Sequence, residues 1–120
     1  MHELSLAHSI LDLVRDHVPP ERGAEVRAVA VRVGAQAGVI ADSLAFCFDA
    51  IVQGTPYGGA RLVVRPVPAT SRCATCGVEF PAAEAFARCP ACGSARVAYA
   101  HGRELDVAEI ELGEPRELTP

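Results

Sequence analysis

The sequence predicts a small α/β protein, a three-stranded sheet with two helices, carrying an inserted four-cysteine zinc-ribbon-like module. Three observations carry that expectation. Apolar residues recur at helical spacing in two stretches, and near-alternating β-branched runs occur in three. Two Cys-x-x-Cys pairs, Cys73 with Cys76 and Cys89 with Cys92, fall between the second and third of those runs. At 120 residues, half of them hydrophobic, the chain suits one compact domain or one domain with an insertion.

The first helix is expected over 4–18. Leu6, Ile10, Leu13 and Val14 share a face, Leu11 and Val18 widen it, and Asp12, Arg15 and Asp16 take the other side. Pro19-Pro20 ends it. Residues 25–33 read as a strand with Val29, Val31 and Val33 on one face and Arg32 on the other, and Gly34 to Gly38 as a turn. A second helix is expected from about Asp42 to Val52, burying Leu44, Cys47, Phe48 and Ile51, with the Asp42 carboxylate complementing its positive end. Residues 53–59 are a loop by composition, and Arg61 to Val67 a second strand stopped by Pro66 and Pro68. Strand, helix, strand in this order implies a right-handed crossover and a parallel pair. The third strand, Glu104 to Leu112, places Leu105 and Val107 on one face but Ala108, Ile110 and Leu112 on the other, so a bulge or burial on both faces is expected. The tail 113–120 is expected to fray. Residues 1–68 together with 103–120 then form one domain, and 69–102 a module inserted between its strands.

Within the module the glycine after each pair, Gly77 and Gly93, permits positive φ, so backbone amides can point at the sulfurs. Four thiolates are the soft tetrahedral set of a closed structural Zn(II) site, with no position left open for chemistry. Two disulfides are the alternative, and the cytosolic look of the chain argues against them. Metal binding can replace the apolar core that so short a segment could not build. The fifth cysteine, Cys47, between Phe46 and Phe48, reads as a small buried hydrophobe.

The start, Met1-His2-Glu3, offers a second metal site of different character. The terminal amine, the amide and imidazole Nδ1 of His2, and the amide or carboxylate of Glu3 can form a planar, nitrogen-rich set, which favours Ni(II) or Cu(II) over Zn(II). A bulky second residue is expected to retain Met1. On spacing alone a histidine at position 2 is an exposed residue at a chain start. His8 and His17 read as surface residues, and His101 as a turn residue near the module.

Charge narrows the classes further. Net charge is −4, every basic residue is Arg, and there is no Trp. Residues 1–69 carry six Arg against seven acids, 70–103 four against two, and 104–120 one against six. An acidic chain poor in aromatics is a poor general nucleic-acid binder. No stretch approaches the roughly 18 apolar residues of a membrane span, and Asp12, Arg15 and Asp16 interrupt any signal-peptide pattern, so a cytoplasmic protein is expected.

Together these pieces resemble the HypA/HybF family of hydrogenase nickel incorporation proteins. The resemblance covers nearly the whole chain: Met1 to Leu6, Val31 to Gly34 running on to Gly38-Val39, Ser43 to Phe48 with Gly54-Thr55, both cysteine pairs, and Gly102 to Leu105. It implies a non-enzymatic nickel metallochaperone for [NiFe]-hydrogenase maturation; some members also serve urease. It implies nickel, transiently held, at Met1 (terminal amine), His2 and Glu3, and structural zinc at Cys73, Cys76, Cys89 and Cys92. The implied partners are a nickel-handling GTPase and the hydrogenase large-subunit precursor, and a homodimer is compatible with it. Ile40-Ala41-Asp42 stands where relatives often carry an acidic pair, so no nickel contact is carried over to that loop. The competing reading is a zinc-ribbon interaction module contacting protein, or nucleic acid through Arg72, Arg88, Arg96 and Arg103. A zinc hydrolase would need an open coordination position that four thiolates do not leave.

Overall fold

The structure, a computed structural model, describes residues 3–82 and 88–113. Met1, His2 and most of the 113–120 tail therefore lie outside the described residues. The elements run α1 (Glu3–His17), a 3-10 turn (Pro20–Glu25), β1 (Val26–Gly34), α2 (Ala41–Val52), β2 (Arg61–Val67), β3 (Thr70–Cys73), β4 (Glu79–Pro81), β5 (Val97–His101) and β6 (Leu105–Leu112). They form two sheets of three strands, ordered β2-β1-β6 and β4-β3-β5. Two compact units result: one of residues 1–32, 38–65 and 106–120, the other of 33–37 and 66–105.

In the first sheet β1 is the central strand, and that position explains its composition. Val29, Val31 and Val33 are buried on one face; Val26 and Ala30 are buried on the other, where Arg32 is exposed. The Ala35 N–H donates to the Val67 carbonyl, so the C-terminal ends of β1 and β2 meet, the arrangement of a parallel pair joined through α2. Arg32 grips Asp106 with two hydrogen bonds, of 2.8 and 2.5 Å, and Arg65 pairs with Glu109. Asp106 and Glu109 are an odd number of residues apart, yet both meet arginines at the surface. The half-buried positions of β6 likewise shift from Leu105 and Val107 to Ile110, the phase change that its apolar pattern predicts.

Both helices form where expected, but their buried faces are rotated. In α1 the core is Ala7, Ile10, Leu11 and Val14, and Leu13 is 38% exposed rather than part of the stripe. In α2 Leu44, Phe48 and Val52 are buried, a strict i, i+4 row on a helix packed against α1, while Cys47 and Ile51 are only half-buried. Cys47 is thus a rim residue rather than a core one. The loop after α2 is more than a connector. Its Tyr57 is fully buried, and its hydroxyl donates to the Val18 carbonyl at 2.6 Å, tying the loop to the end of α1. Burying a ring of that size contributes about 2 kcal/mol, provided its hydroxyl keeps a partner.

In the second unit the 33–37 segment is held by backbone bonds from Gly34 to Glu104 and from Gln36 to Gly102, both of 2.7 Å. Gly34 and Gly102 pack backbone to backbone: a Cβ on Gly34 would lie 2.1 Å from the Gly102 carbonyl carbon. Gly34→Ala is therefore expected to cost about 3 kcal/mol or more, since main chain rather than a side-chain tip must move. Gly38→Ala, where φ is 74° and no atom lies within 4 Å of the added carbon, should cost only about 1 kcal/mol. Urea denaturation of the two variants checks the ordering.

Candidate metal centre

The cysteines come together because two knuckles repeat one local geometry. Each pair closes a tight turn, with the Gly77 N–H donating to the Cys73 carbonyl at 2.9 Å and the Gly93 N–H to the Cys89 carbonyl at 2.8 Å. Gly77 and Gly93 have φ of 78° and 76°, where a side chain would be strained. The first sulfur of each pair then accepts backbone amides: Thr75 (3.3 Å) and Cys76 (3.4 Å) onto Cys73, and Ala91 (3.3 Å) onto Cys89. These bonds hold the sulfurs as acceptors, the state that a metal needs.

The knuckles face each other. The sulfurs of Cys73 and Cys92, and of Cys76 and Cys89, are 3.6 Å apart, and all four lie within 4.8 Å of one another. A tetrahedral zinc with bonds of about 2.3 Å would set its sulfurs about 3.8 Å apart, so the cluster fits a structural zinc site. None of the four is disulfide-bonded. The sheet β4-β3-β5 carries the cluster. β3 delivers Cys73, and pairs antiparallel with both neighbours, Ser71 opposite Phe80 on one side and Tyr99 on the other. Buried Cys73, Phe80 and Cys89, with Val97 against them, form the unit's small core. These three strands are absent from the expectation drawn from the sequence, because runs of three to five residues give too little alternation to read.

The electrostatics divide the thiols. The Cys76 N–H, with the Thr75 N–H, holds Cys73 down to about 6 against the opposing effect of burial. At Cys89 burial works against ionisation, but the amides of Cys92 and Ala91 bring the thiol below its ordinary value. Cys92 behaves oppositely: the Ser94 N–H favours its thiolate, but Cys73, burial and the other two sulfurs push it up to about 12. Cys76 is likewise raised, its Val78 amide outweighed by burial and the sulfurs of Cys89 and Cys73. Four sulfurs this close cannot all carry charge without a cation among them. Outside the sulfurs, the Thr75 and Ser94 hydroxyls meet at 2.8 Å, bridging the two knuckles.

The remaining candidates fall as follows. His101 is the last residue of β5, not a turn residue, and it does not join the sulfurs. Its Nδ1 lies 2.7 Å from Glu104 and its Nε2 lies 3.5 Å from Glu79. Glu3 opens α1, and it lines a pocket of about 330 Å³ with Leu4, Asp42, Ser43, Phe46 and Cys47. Its expected co-ligands Met1 and His2 lie outside the described residues. Asp42 and Cys47 reach Glu3 only through the packing of α2 beside α1, a juxtaposition that no spacing along the chain signals.

Three comparisons bear on this arrangement. Residues 1–112 match the family model described as hydrogenase/urease nickel incorporation, metallochaperone, HypA. The hydrogenase maturation factor HypA of Chlorobaculum tepidum is 43% identical over 112 residues, covering 93% of this chain and 99% of that one. The factor of the same name from Chloroflexus aggregans is 42% identical over 113 residues, covering 92% and 98%. The solution structure of the Ni metallochaperone HypA from Helicobacter pylori aligns with a TM-score of 0.65 at 22% identity, covering 93% of this chain and 97% of that one. A second HypA solution structure aligns at 0.71 and 21% identity, covering 93% and 96%. At those identities the structures establish a shared fold.

One further electrostatic feature of this unit is directly testable. The Gly102 N–H, at 2.6 Å, and then the His101 ring hold the Glu104 carboxyl down to about 2. A depressed carboxyl stabilises the fold above its unfolded value and loses that contribution as pH falls toward the folded one. Glu104→Gln should therefore be less stable than the native chain at pH 7, and the gap should narrow as pH falls from about 4.5 toward 2. Urea midpoints measured at stepped pH check the sign.

Proposed function

The chain belongs to the HypA family, and on that premise we propose that it is a nickel metallochaperone that delivers Ni(II) during [NiFe]-hydrogenase maturation. The observation that carries this reading is that one match, over residues 1–112, spans both the Met1-His2-Glu3 start and the four cysteines. The two sets of ligands differ in the way such a division requires. Four sulfurs from two tight turns form a closed set, suited to an ion that stays. The chain start offers an amine, an imidazole and backbone amides, suited to an ion that must be taken up and surrendered.

Zinc at Cys73, Cys76, Cys89 and Cys92 cross-links the two knuckles and completes a core to which, among the described residues, Cys73, Phe80 and Cys89 contribute. Nickel is the cargo. The terminal amine of Met1, the amide and Nδ1 of His2, and Glu3 bind it; protons compete for the amine and imidazole, so occupancy rises with pH. Glu3 lines an open pocket beside Asp42, where an acceptor could offer competing ligands. Such a transfer exchanges metal–ligand bonds and protons and breaks no covalent bond of a substrate, so the protein needs no catalytic residue. The partners in this reading are a nickel-handling GTPase and the hydrogenase large-subunit precursor. Urease service is the further role named by the family description. Its setting is the cytoplasm; among the described residues no helix is long and apolar enough to cross a membrane.

A calorimetric Ni(II) titration of protein with its native N-terminus, beside His2→Ala, tests the reading. One zinc per chain in both proteins is expected, with tight nickel binding only in the native one. Cys73→Ala should lose zinc and unfold the second unit. Equal nickel binding by the native protein and His2→Ala would remove His2 from the mechanism, and loss of zinc in His2→Ala would overturn the division into two sites.

A further inference from the structure

The cysteine-bearing unit has an open edge. β5 pairs with β3 on one side, and it is the outer strand of the β4-β3-β5 sheet among the described residues. Its sequence, Val97-Ala-Tyr-Ala-His101, contains no proline and no acid, and Ala98, Tyr99 and His101 are exposed. Small residues at Ala98 and Ala100 leave the main chain unshielded. An unpaired strand of this kind offers a row of N–H and C=O groups to any extended chain of complementary charge.

The charge along this edge has one sign. From Arg88 to Arg103 the sequence holds three arginines and His101, with no acid, although the chain as a whole carries −4. Arg96 stands just before β5 and Arg103 just after it, both exposed. Arg96 is held by its own backbone: its N–H donates to the Ser94 hydroxyl at 3.1 Å and its carbonyl accepts the Ala74 N–H at 2.7 Å. Arg103 is stacked on the Tyr99 ring, 5.0 Å from its centroid, which orders the guanidinium while leaving its N–H rim to solvent. The nearby acids are engaged elsewhere. Glu104 is turned onto Gly102 and His101, and Glu79, on the far strand β4, faces Arg72 and the His101 ring.

We propose that β5 is a docking edge for an extended acidic segment of another protein, which adds as a fourth strand and places carboxylates on Arg96 and Arg103. The backbone ladder supplies the geometry and the two arginines, one at each end of a five-residue strand, supply the choice of partner. A peptide fits this edge better than a nucleic acid does. A nucleic acid has no backbone N–H to complete the ladder, and the exposed ring on this strand, Tyr99, is covered by Arg103. The proposal uses none of the nickel ligands and stands whether or not the chain carries nickel.

The probe is a nine-residue synthetic peptide of alternating Glu and Val, blocked at both ends, titrated into the ¹⁵N-labelled full chain as purified. Shifts concentrated in 96–103 are expected, with affinity falling as salt is raised. The same peptide N-methylated at alternate residues on each edge in turn should lose binding with one edge only, since a strand addition uses one row of amides. Arg96→Ala/Arg103→Ala should weaken binding about tenfold, the worth of two screened charge contacts. Zinc content and the amide spectrum report whether that variant folds; if it does not, the N-methyl comparison on the native chain decides alone. Equal binding of both methylated peptides, or of a Lys-for-Glu peptide, would overturn strand addition. Absence of peptide binding would overturn it too, leaving the arginines as guards of a bare edge. Binding of a single-stranded RNA oligonucleotide in place of the peptide would assign the surface to nucleic acid.

Discussion

The convergence of four sulfurs within 4.8 Å is the constraint on which the cysteine-bearing unit depends. Among the described residues its core cluster has three buried hydrophobic members, two of which are themselves cysteines of the metal set. Burial on that scale cannot offset the ordering of several dozen residues, which costs on the order of 1 kcal/mol for each. The backbone anticipates the metal instead. Amides at Thr75, Cys76 and Ala91 are already aimed at sulfur, and the glycines at 77 and 93 make the turns that aim them. Against the Ser94 amide, the Cys73 sulfur and burial keep the proton on Cys92, and divalent zinc would displace it, so metal and fold stabilise one another.

The other unit depends on a different constraint, the double burial of β1. A strand at the centre of a sheet can be buried on both faces. Val29, Val31 and Val33 are buried on one, and Val26 and Ala30 on the other, where Ala28 and Ala30 are small beside the exposed Arg32. The small residues let arginines on the flanking strands reach acids across the surface, as in Arg65 with Glu109. Such exposed pairs add little stability, but they fix register on a face that the core does not read.

This contrast also sets what the sequence could tell. Two helices and three long strands were legible because each shows its period over seven or more residues. The sulfur cluster was legible because Cys-x-x-Cys-Gly specifies a knuckle by local chemistry alone. The short strands β3, β4 and β5 were not, since their pairing is imposed by the cluster they surround. Helix faces were legible to within one row: Leu13 lies on the predicted stripe, yet sits at the margin of what the core covers. The burial of Tyr57 within a Gly-rich loop could not be read at all, because its partner, the Val18 carbonyl, lies 39 residues away. His101 was placed near the module, but the two carboxylates that occupy its ring come from β4 and from beyond β5.

The two proposed metal sites follow from one selection rule applied in opposite directions. Thiolates are soft, and a closed set of four admits zinc firmly but leaves no opening through which another ligand could enter; exchange there requires unfolding a knuckle. A chain start has the reverse properties. Its donors are nitrogen, and its amides bind only after giving up protons. A protein that must hold one metal in order to hand on another therefore gains by keeping the ligand types apart. Sulfur at the terminus would bind zinc, and nitrogen in the knuckles would let nickel lodge in the scaffold. The absence of histidine from both knuckles, Cys73-Ala-Thr-Cys76 and Cys89-Pro-Ala-Cys92, and the engagement of His101 by Glu104 keep imidazole away from the sulfurs. Selectivity on this account is as much a matter of where histidine does not sit as of where His2 does.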